Sequence, residues 1–535
     1  MRVHESMAAA LTEVTGTLFG LLGDSNLFLA NAFAERHGGR YVSAVHESGA
    51  VMMAHGYACR SGSLGVATVT QGPGLTNTAT ALVEVTRART PLLLLCGDTA
   101  PSNTANIQTL AQREFVAAVG ADYLLVENPA DAASAIIDGA AKALSNRRPV
   151  VLNCPTEYQW LEVDDVRAPS IMLPDLGQHD AHELDAAMGV VASARRPLIL
   201  AGNGVHEPRC RRAVLALAER LGAPVATTLR GRGLYSAEDG CVGVFGTLST
   251  QLGVDAISEC DCVIVFGAGL NTWTTGGRAL LEGKAVVHCD VDPAAIGRHA
   301  PVAVGVVGDA EVIASTMVKY LDEAQVDPSS FRARLRPRLS SEAIRWQAPL
   351  ADPLRLDGAL SALDAALPRQ RTVVHDGGRF LGESFRYLCA PTPAAQVLST
   401  AFGAVGLGMG AAIGAGCAAP REPTVLVTGD GGFMMSGLAE LHSAVRAEIP
   451  LLVVVCNDGG YGAEYDQYVQ RGVRPDLSLF TWPSFAEAAR TIGCAAYEVH
   501  DAAGLRVALN AVAHLTCPVL IDIHLPPDAI PEVAH

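Results

Sequence analysis

The stretch from Pro423 to Gly462, PTVLVTGDGGFMMSGLAELHSAVRAEIPLLVVVCNDGGYG, decides the fold class. TVLVTGD and LLVVVCN are short, continuous apolar runs, and each ends in an oxygen-bearing residue, Asp430 or Asn457. Between them lie a glycine turn, Gly431-Gly432, and an amphipathic helix pattern. Strands buried on both faces read as such runs, so the stretch predicts a βαβ unit with parallel strands. In open α/β sheets, ligands bind at the carboxyl ends of the strands. Asp430, Asn457 and the Gly459 carbonyl are therefore candidate ligands for Mg²⁺, which takes a few protein oxygens and completes its octahedron with phosphate and water. The Gly431 and Gly432 N–H groups, at a helix start, suit a diphosphate. Taken singly, Asp430 and Asn457 also read as ordinary turn and cap residues.

Outward from this unit the same alternation fills the chain. In residues 1–165, YVSAV, LGVATVT, PLLLLCGD and RPVVLNCP read as strands, and Ser6–Phe19, LFLANAFAERHGG and HESGAVMMAHGYAC as helices. Residues 186–330 give strands at RPLILAGNG, APVATTL, CVIVFGAG and KAVVHCDVD; residues 356–535 add RTVVHDGG and PVLIDIHL to the opening pair. A Pro-rich linker is expected at 166–185 and a charged, mostly helical one at 325–355. The predicted architecture is α/β, with three doubly wound parallel-sheet domains. The first and third read as structural cousins.

Composition narrows the class of function. The 535 residues carry a formal net charge of −16, which argues against a nucleic-acid partner. No apolar run approaches the roughly 20 residues of a membrane span. Glu5 and Glu13 interrupt the N-terminal apolar stretch, so no signal core is read there. The 13 cysteines show no CxxC pair, which fits a reducing, cytoplasmic setting and no zinc or disulfide framework. His46 and His55 lack ligand partners at metal spacing and read as packing residues. One rival reading of the opening region is a dinucleotide site: GLGMGA (406–411) fits GxGxxA, and Asp430 follows at a ribose-binding distance. No strand run directly precedes Gly406, however, and glycines flank the acid on both sides.

GDGGF followed by Asn457 resembles the thiamine-diphosphate-binding motif, and the resemblance covers the whole chain. HESGAVMMAHGYAC is similar to the HEQGA…AEGYAR segment of acetolactate synthases. VTQGPGLTN is similar to their SGPGxTN turn, FGAVGLGMGAAIGA to GTMGFGLPAAIGA, and HCDVDPAAIGR with Gly308-Asp309 to a middle-domain segment. The motifs fall in the family's order. The resemblance implies a pyrimidine-binding domain, a middle domain and a diphosphate-binding domain.

It also implies roles. Glu47 would be the carboxylate that contacts the aminopyrimidine ring and starts catalysis. Gly74 and Asn77, in the QGPGLTN turn, Gly403 and Val405 would line the pyrimidine side. Val405 stands where acetolactate synthases usually carry Met. Gly378, Arg379, Gly431, Gly432, Asn457 and Tyr461 would approach the diphosphate, and Asp430, Asn457 and Gly459 would hold Mg²⁺. Gln108 lines up with a glutamine near the reacting carbon. Asp24, in GLLGDSN, resembles a proton-relay acid of pyruvate decarboxylases, although their paired histidines are not matched in GDTAPSN. The implied activity is carboligase or lyase chemistry on a 2-oxo acid or diketone. The alternatives are a decarboxylase or C–C hydrolase needing no second carbonyl acceptor, and a non-catalytic binding partner, which the presence of Glu47 and Asp430 disfavours. The family implies a homodimer or homotetramer with sites between subunits. FAD is the further cofactor to weigh; GAGLNTWTTGG replaces the family's GARFDDR-like stretch, which counts against it.

Overall fold

The short apolar runs pair as parallel strands, because each is buried on both sheet faces and needs neighbours to satisfy its backbone groups. The structure is a computed structural model that describes residues 1–100, 102–103, 105–164, 181–339, 345–512 and 515–526. It contains three six-stranded parallel sheets. The first is built from β1 (Thr17–Gly20), β2 (Arg40–Ser43), β3 (Gly65–Val69), β4 (Leu92–Asp98), β5 (Asp122–Leu125) and β6 (Pro149–Pro155), in the order β2-β1-β3-β4-β6-β5. The second holds β7 (Pro197–Ala201), β8 (Val225–Thr227), β9 (Cys241–Val244), β10 (Cys262–Phe266), β11 (Ala285–Asp290) and β12 (Val304–Val307), in the order β12-β11-β10-β7-β8-β9. The third holds β13 (Thr372–His375), β14 (Gln396–Leu398), β15 (Thr424–Gly429), β16 (Leu451–Asn457), β17 (Ala495–Val499) and β18 (Val519–His524), in the order β14-β13-β15-β16-β18-β17. The α/β class with three doubly wound sheets is therefore what the chain adopts. The first and third sheets share one strand order; the second has a different one.

The chain forms two compact units, one holding the first and third sheets and the other the second. In the first unit, the Glu47–Ser61 helix crosses the Gly408–Ala418 helix without room for a side chain. A Cβ on Gly56 would fall 1.9 Å from the Ala411 carbonyl oxygen, and one on Gly414 would fall 1.7 Å from that of Met53. Ala50, Val51 and Met53 join Met409, Ala412 and Ala415 in a single apolar core. In the second unit, Asp309 caps the Ala310–Glu323 helix, accepting the Glu311 N–H at 2.9 Å.

Two expectations are corrected. The helix read over Ser6–Phe19 ends at Thr12, and Thr17–Gly20 is strand β1. Those four residues are wholly buried between β2 and β3, and sheet pairing outweighs their helix-compatible spacing. Among the described residues, the charged linker is helical only at Phe331–Leu335 and Arg336–Arg338. The linker expected at 166–185 lies mostly outside the described residues.

Candidate active site

Strands β15 and β16 pair in register up to Gly429 opposite Cys456, so the next residues, Asp430 and Asn457, emerge side by side at the carboxyl edge. Asp430 opens a continuous helical stretch, Asp430–Gly432, Phe433–Gly437 and Leu438–Arg446. Its carboxylate accepts the Gly431 N–H at 2.8 Å on one oxygen, and the Gly460 N–H at 2.9 Å and Trp482 Nε1–H at 2.8 Å on the other. Burial, and then the nearby Asp458, push its pKa up to about 6. A buried carboxylate beside another acid favours a cation at that spot. Asn457 donates Nδ2–H to Asp522 at 3.0 Å, which turns its Oδ1 toward the loop; that oxygen accepts the Gly459 N–H at 3.3 Å. Gly459 takes φ +72°, the left-handed conformation the turn requires.

The surroundings of this pair are aromatic. The Tyr461 ring lies against the Gly431 backbone, 2.7 Å from where a Cβ would stand. Phe480 packs between Tyr461 and Trp482, with centroids 4.7 and 4.8 Å away. Arg379 is buried and ion-paired with Asp458 and, at 2.7 Å, with Asp466; among the described residues its Nε is left without a hydrogen bond. The guanidinium expected beside a phosphate is thus held by two protein carboxylates. Gly378 stands just before it, packed on the Phe380 ring.

Glu47 is the first residue of its helix, which His46 caps by accepting the Ser48 N–H at 3.1 Å. The side chain is half-buried, and Asn77 Nδ2–H holds its Oε2 at 2.9 Å. Gly74 faces the other oxygen: a Cβ there would lie 3.7 Å from Oε1. The turn thus brings Glu47, Gly74 and Asn77 together. Gln108 packs its backbone carbonyl on Gly72 of the same turn, where a Cβ would meet it at 2.3 Å. Asp24 sits on an exposed loop, its carbonyl bound by Gln159 at 3.3 Å. Among the described residues its carboxylate makes no hydrogen bond to Glu47, Asn77 or Gln108. Gly403, at φ +80°, has open space where a side chain would be, and Val405 is 40% exposed beside Gly377.

Three buried acids that the motifs did not single out tie these pieces together. Asp376, at the tip of β13, accepts the Gly406 N–H at 3.1 Å and the Thr428 hydroxyl at 2.9 Å, joining the Gly403–Gly406 loop to the root of Asp430. Burial raises its pKa to about 6. Glu84 accepts the Ala401 N–H at 2.8 Å and the Phe402 N–H at 2.6 Å, fixing the start of that loop from the first sheet's side. Glu440 accepts the Val45 N–H at 3.0 Å, two residues before Glu47, and burial pushes its pKa up. Each stands on an otherwise apolar face (VVHDGG, ALVEV, GLAEL), and an acid in such a place is the sequence signal available for it.

The oxygen set at Asp430 and Asn457, the clear space at Gly403 and the open Oε1 of Glu47 suit a cofactor with a diphosphate at one end and an aminopyrimidine at the other. The comparisons with known proteins agree. Residues 1–118 match the thiamine pyrophosphate enzyme N-terminal TPP binding domain, residues 184–317 its central domain, and residues 376–523 its C-terminal TPP binding domain. The chain is 28% identical to a sulfoacetaldehyde acetyltransferase of Alcaligenes xylosoxydans xylosoxydans, over 90% of this chain and 86% of the relative. It is 30% identical to the "probable 2-ketoarginine decarboxylase" of Pseudomonas aeruginosa, over 91% and 87%. It is 25% identical to the acetolactate synthase large subunit of Corynebacterium glutamicum, over 98% and 87%. The chain belongs to the thiamine pyrophosphate enzyme family and is similar to acetolactate synthase large subunits.

Proposed function

We propose that this chain is a thiamine-diphosphate- and Mg²⁺-dependent enzyme that breaks the bond to the carboxylate of a 2-oxo acid and joins the remaining fragment to a second carbonyl compound. The observation that carries the reading is the pairing of Glu47 with Asn77 beside Gly74. Asn77 takes one carboxylate oxygen, and the other accepts no hydrogen bond among the described residues.

Bound thiamine diphosphate supplies a carbon nucleophile and an electron sink for the carbonyl carbon of the substrate. Asp430, Asn457 Oδ1 and the Gly459 carbonyl would hold the cation, and the Gly431 and Gly432 N–H groups the diphosphate. Glu47 Oε1 would hold the proton shared with the aminopyrimidine, while Asn77 keeps Oε2 in place. Asp376 and Glu84 would keep the Gly403–Val405 loop at the height the pyrimidine needs. Val405 would support the bend of the cofactor with less bulk than methionine, leaving more room for substrate. Gln108 would face the reacting carbon, and Asp24 would relay a proton from the loop.

An assembly of at least two copies belongs to this proposal. Exposed apolar side chains at Phe402, Val405, Met434 and Met435, around the site, support it. So does the family resemblance. No described helix is long and apolar enough to cross a membrane, and all 13 cysteines are free, which supports a reducing compartment. A second reading, simple decarboxylation with release of an aldehyde, is favoured by the similarity to the Pseudomonas aeruginosa relative. The test is to incubate the chain with Mg²⁺, thiamine diphosphate and a panel of 2-oxo acids and diketones, with and without a second carbonyl compound, and to weigh the products. A condensation product that needs the acceptor supports the carboligase. Release at the same rate without acceptor supports the second reading.

A further inference from the structure

Strands β17 and β18 run parallel in register, Glu498 opposite Asp522 and Val499 opposite Ile523. The sequence acid-x-His recurs at both ends: Asp522-Ile523-His524 closes β18, and Glu498-Val499-His500 runs one residue past the end of β17. Asp522 and His524, two apart on β18, share a face, and Glu498 and His500 approach the same His524 ring at this sheet corner. The imidazole rings stack with centroids 4.3 Å apart. His500 Nε2 lies 3.1 Å from Glu498 Oε1, and His524 Nε2 lies 3.5 Å from that oxygen and 3.2 Å from Asp522 Oδ2. Asp522 is fully buried; its Oδ2 and His524 Nε2 are both shielded from solvent and have no hydrogen-bond partner among the described residues. The two atoms make an ion-pair contact with one another at 3.2 Å, which holds the His524 ring beside Glu498 and His500.

We propose that Glu498, His500 and His524, whose ligand atoms all lie within 4.8 Å of one another, form a site for a zinc-class divalent ion with water in the fourth position. A tetrahedral zinc with bonds of about 2.0–2.1 Å to nitrogen and oxygen has ligand edges of about 3.3 Å. The separations of 3.1 and 3.5 Å from Glu498 Oε1 to the two imidazole nitrogens bracket that edge. One carboxylate and two neutral imidazoles make a mixed set, and such sets prefer zinc over Mg²⁺. The site is chemically distinct from the all-oxygen set at Asp430 and Asn457. It adjoins that set through Asp522, whose other oxygen accepts the Asn457 amide at 3.0 Å.

The test uses the tag-free full-length chain, dialysed against limiting Zn²⁺ and analysed for metal content, with Co²⁺ titration followed by visible absorption. The expected result is one Zn²⁺ per chain and a tetrahedral Co²⁺ spectrum. His500→Ala and Glu498→Gln, both exposed positions, should weaken binding at least about tenfold with the fold unchanged by circular dichroism. Asp430→Asn should leave this binding in place, which separates it from the Mg²⁺ site. No saturable binding by the wild-type chain, or equal affinity in His500→Ala, would overturn the proposal.

Discussion

The crossing of the Glu47–Ser61 and Gly408–Ala418 helices sets the geometry of both halves of the site, and it can be perturbed by a single methyl group. Alanine at Gly56 would place Cβ 1.9 Å from a backbone oxygen, and at Gly414 1.7 Å, where real Cβ atoms essentially never come within 3.0 Å. The obstacle is backbone on both sides, so no side chain can swing away; the helices must separate by about an ångström or more. Alanine in mid-helix gains about 1 kcal/mol of propensity over glycine. Overpacking a core costs typically 1–3 kcal/mol, and a clash against backbone belongs at or beyond the top of that range. The net expectation for Gly56→Ala or Gly414→Ala is a loss of about 2 kcal/mol or more, a fall of several degrees in melting temperature. Glu47 heads one helix and the Gly403–Gly406 loop feeds the other, so thiamine diphosphate affinity, read by calorimetric titration with Mg²⁺ present, should fall as well. Gly189, exposed in the Ala181–Ser193 helix with nothing within 4 Å, provides the control: Gly189→Ala should leave the melt unchanged or raised. Melting temperatures of Gly56→Ala and Gly414→Ala equal to wild type would refute the reasoning.

Three further outcomes are expected. Asp376 has its pKa raised from 3.8 to about 6, so the folded chain keeps a proton there between roughly pH 4 and 6 that the unfolded chain has lost. Its contribution to stability therefore falls as pH rises through that window, by about 3 kcal/mol in all. Asp376→Asn, which does not titrate, should gain on wild type by about that amount between pH 4 and 7 in denaturant melts; a constant gap would contradict the assignment. Glu440→Ala leaves the Val45 N–H without its acceptor and should cost about 1–3 kcal/mol. It should lower turnover more than Glu440→Gln, which keeps an acceptor oxygen, and equal turnover would contradict a positioning role. Asp430→Asn should raise the Mg²⁺ concentration needed for half-maximal activity at least about tenfold; an unchanged requirement would contradict its place among the ligands.

What could be read from the sequence follows from burial. The strands recognised as apolar runs are almost all interior ones, such as β3, β4, β10, β15 and β16, whose residues are nearly all buried. Those that escaped notice include β5, β9, β12, β14 and β17, each at the edge of its sheet and partly exposed. An edge strand packs on fewer neighbours and needs no continuous apolar run, so it leaves a weak trace. β1 was hidden differently, because its four residues continue the apolar spacing of the preceding helix. In the site, Glu47, Asn77, Asp430 and Asn457 were legible because glycine-rich turns mark them. Glu84, Asp376 and Glu440 act through backbone N–H groups more than 20 residues away in sequence, and only the fold reveals those partners.

The central claim is that Glu47, steadied by Asn77, starts thiamine-diphosphate chemistry on a 2-oxo acid. Its most direct test is turnover of the Glu47→Gln variant beside wild type, with saturating Mg²⁺ and thiamine diphosphate and a 2-oxo acid that wild type consumes. Glutamine keeps the shape and the Asn77 contact but cannot hold the proton. The account predicts retained cofactor binding with turnover reduced about 10²- to 10⁴-fold; turnover equal to wild type would contradict it.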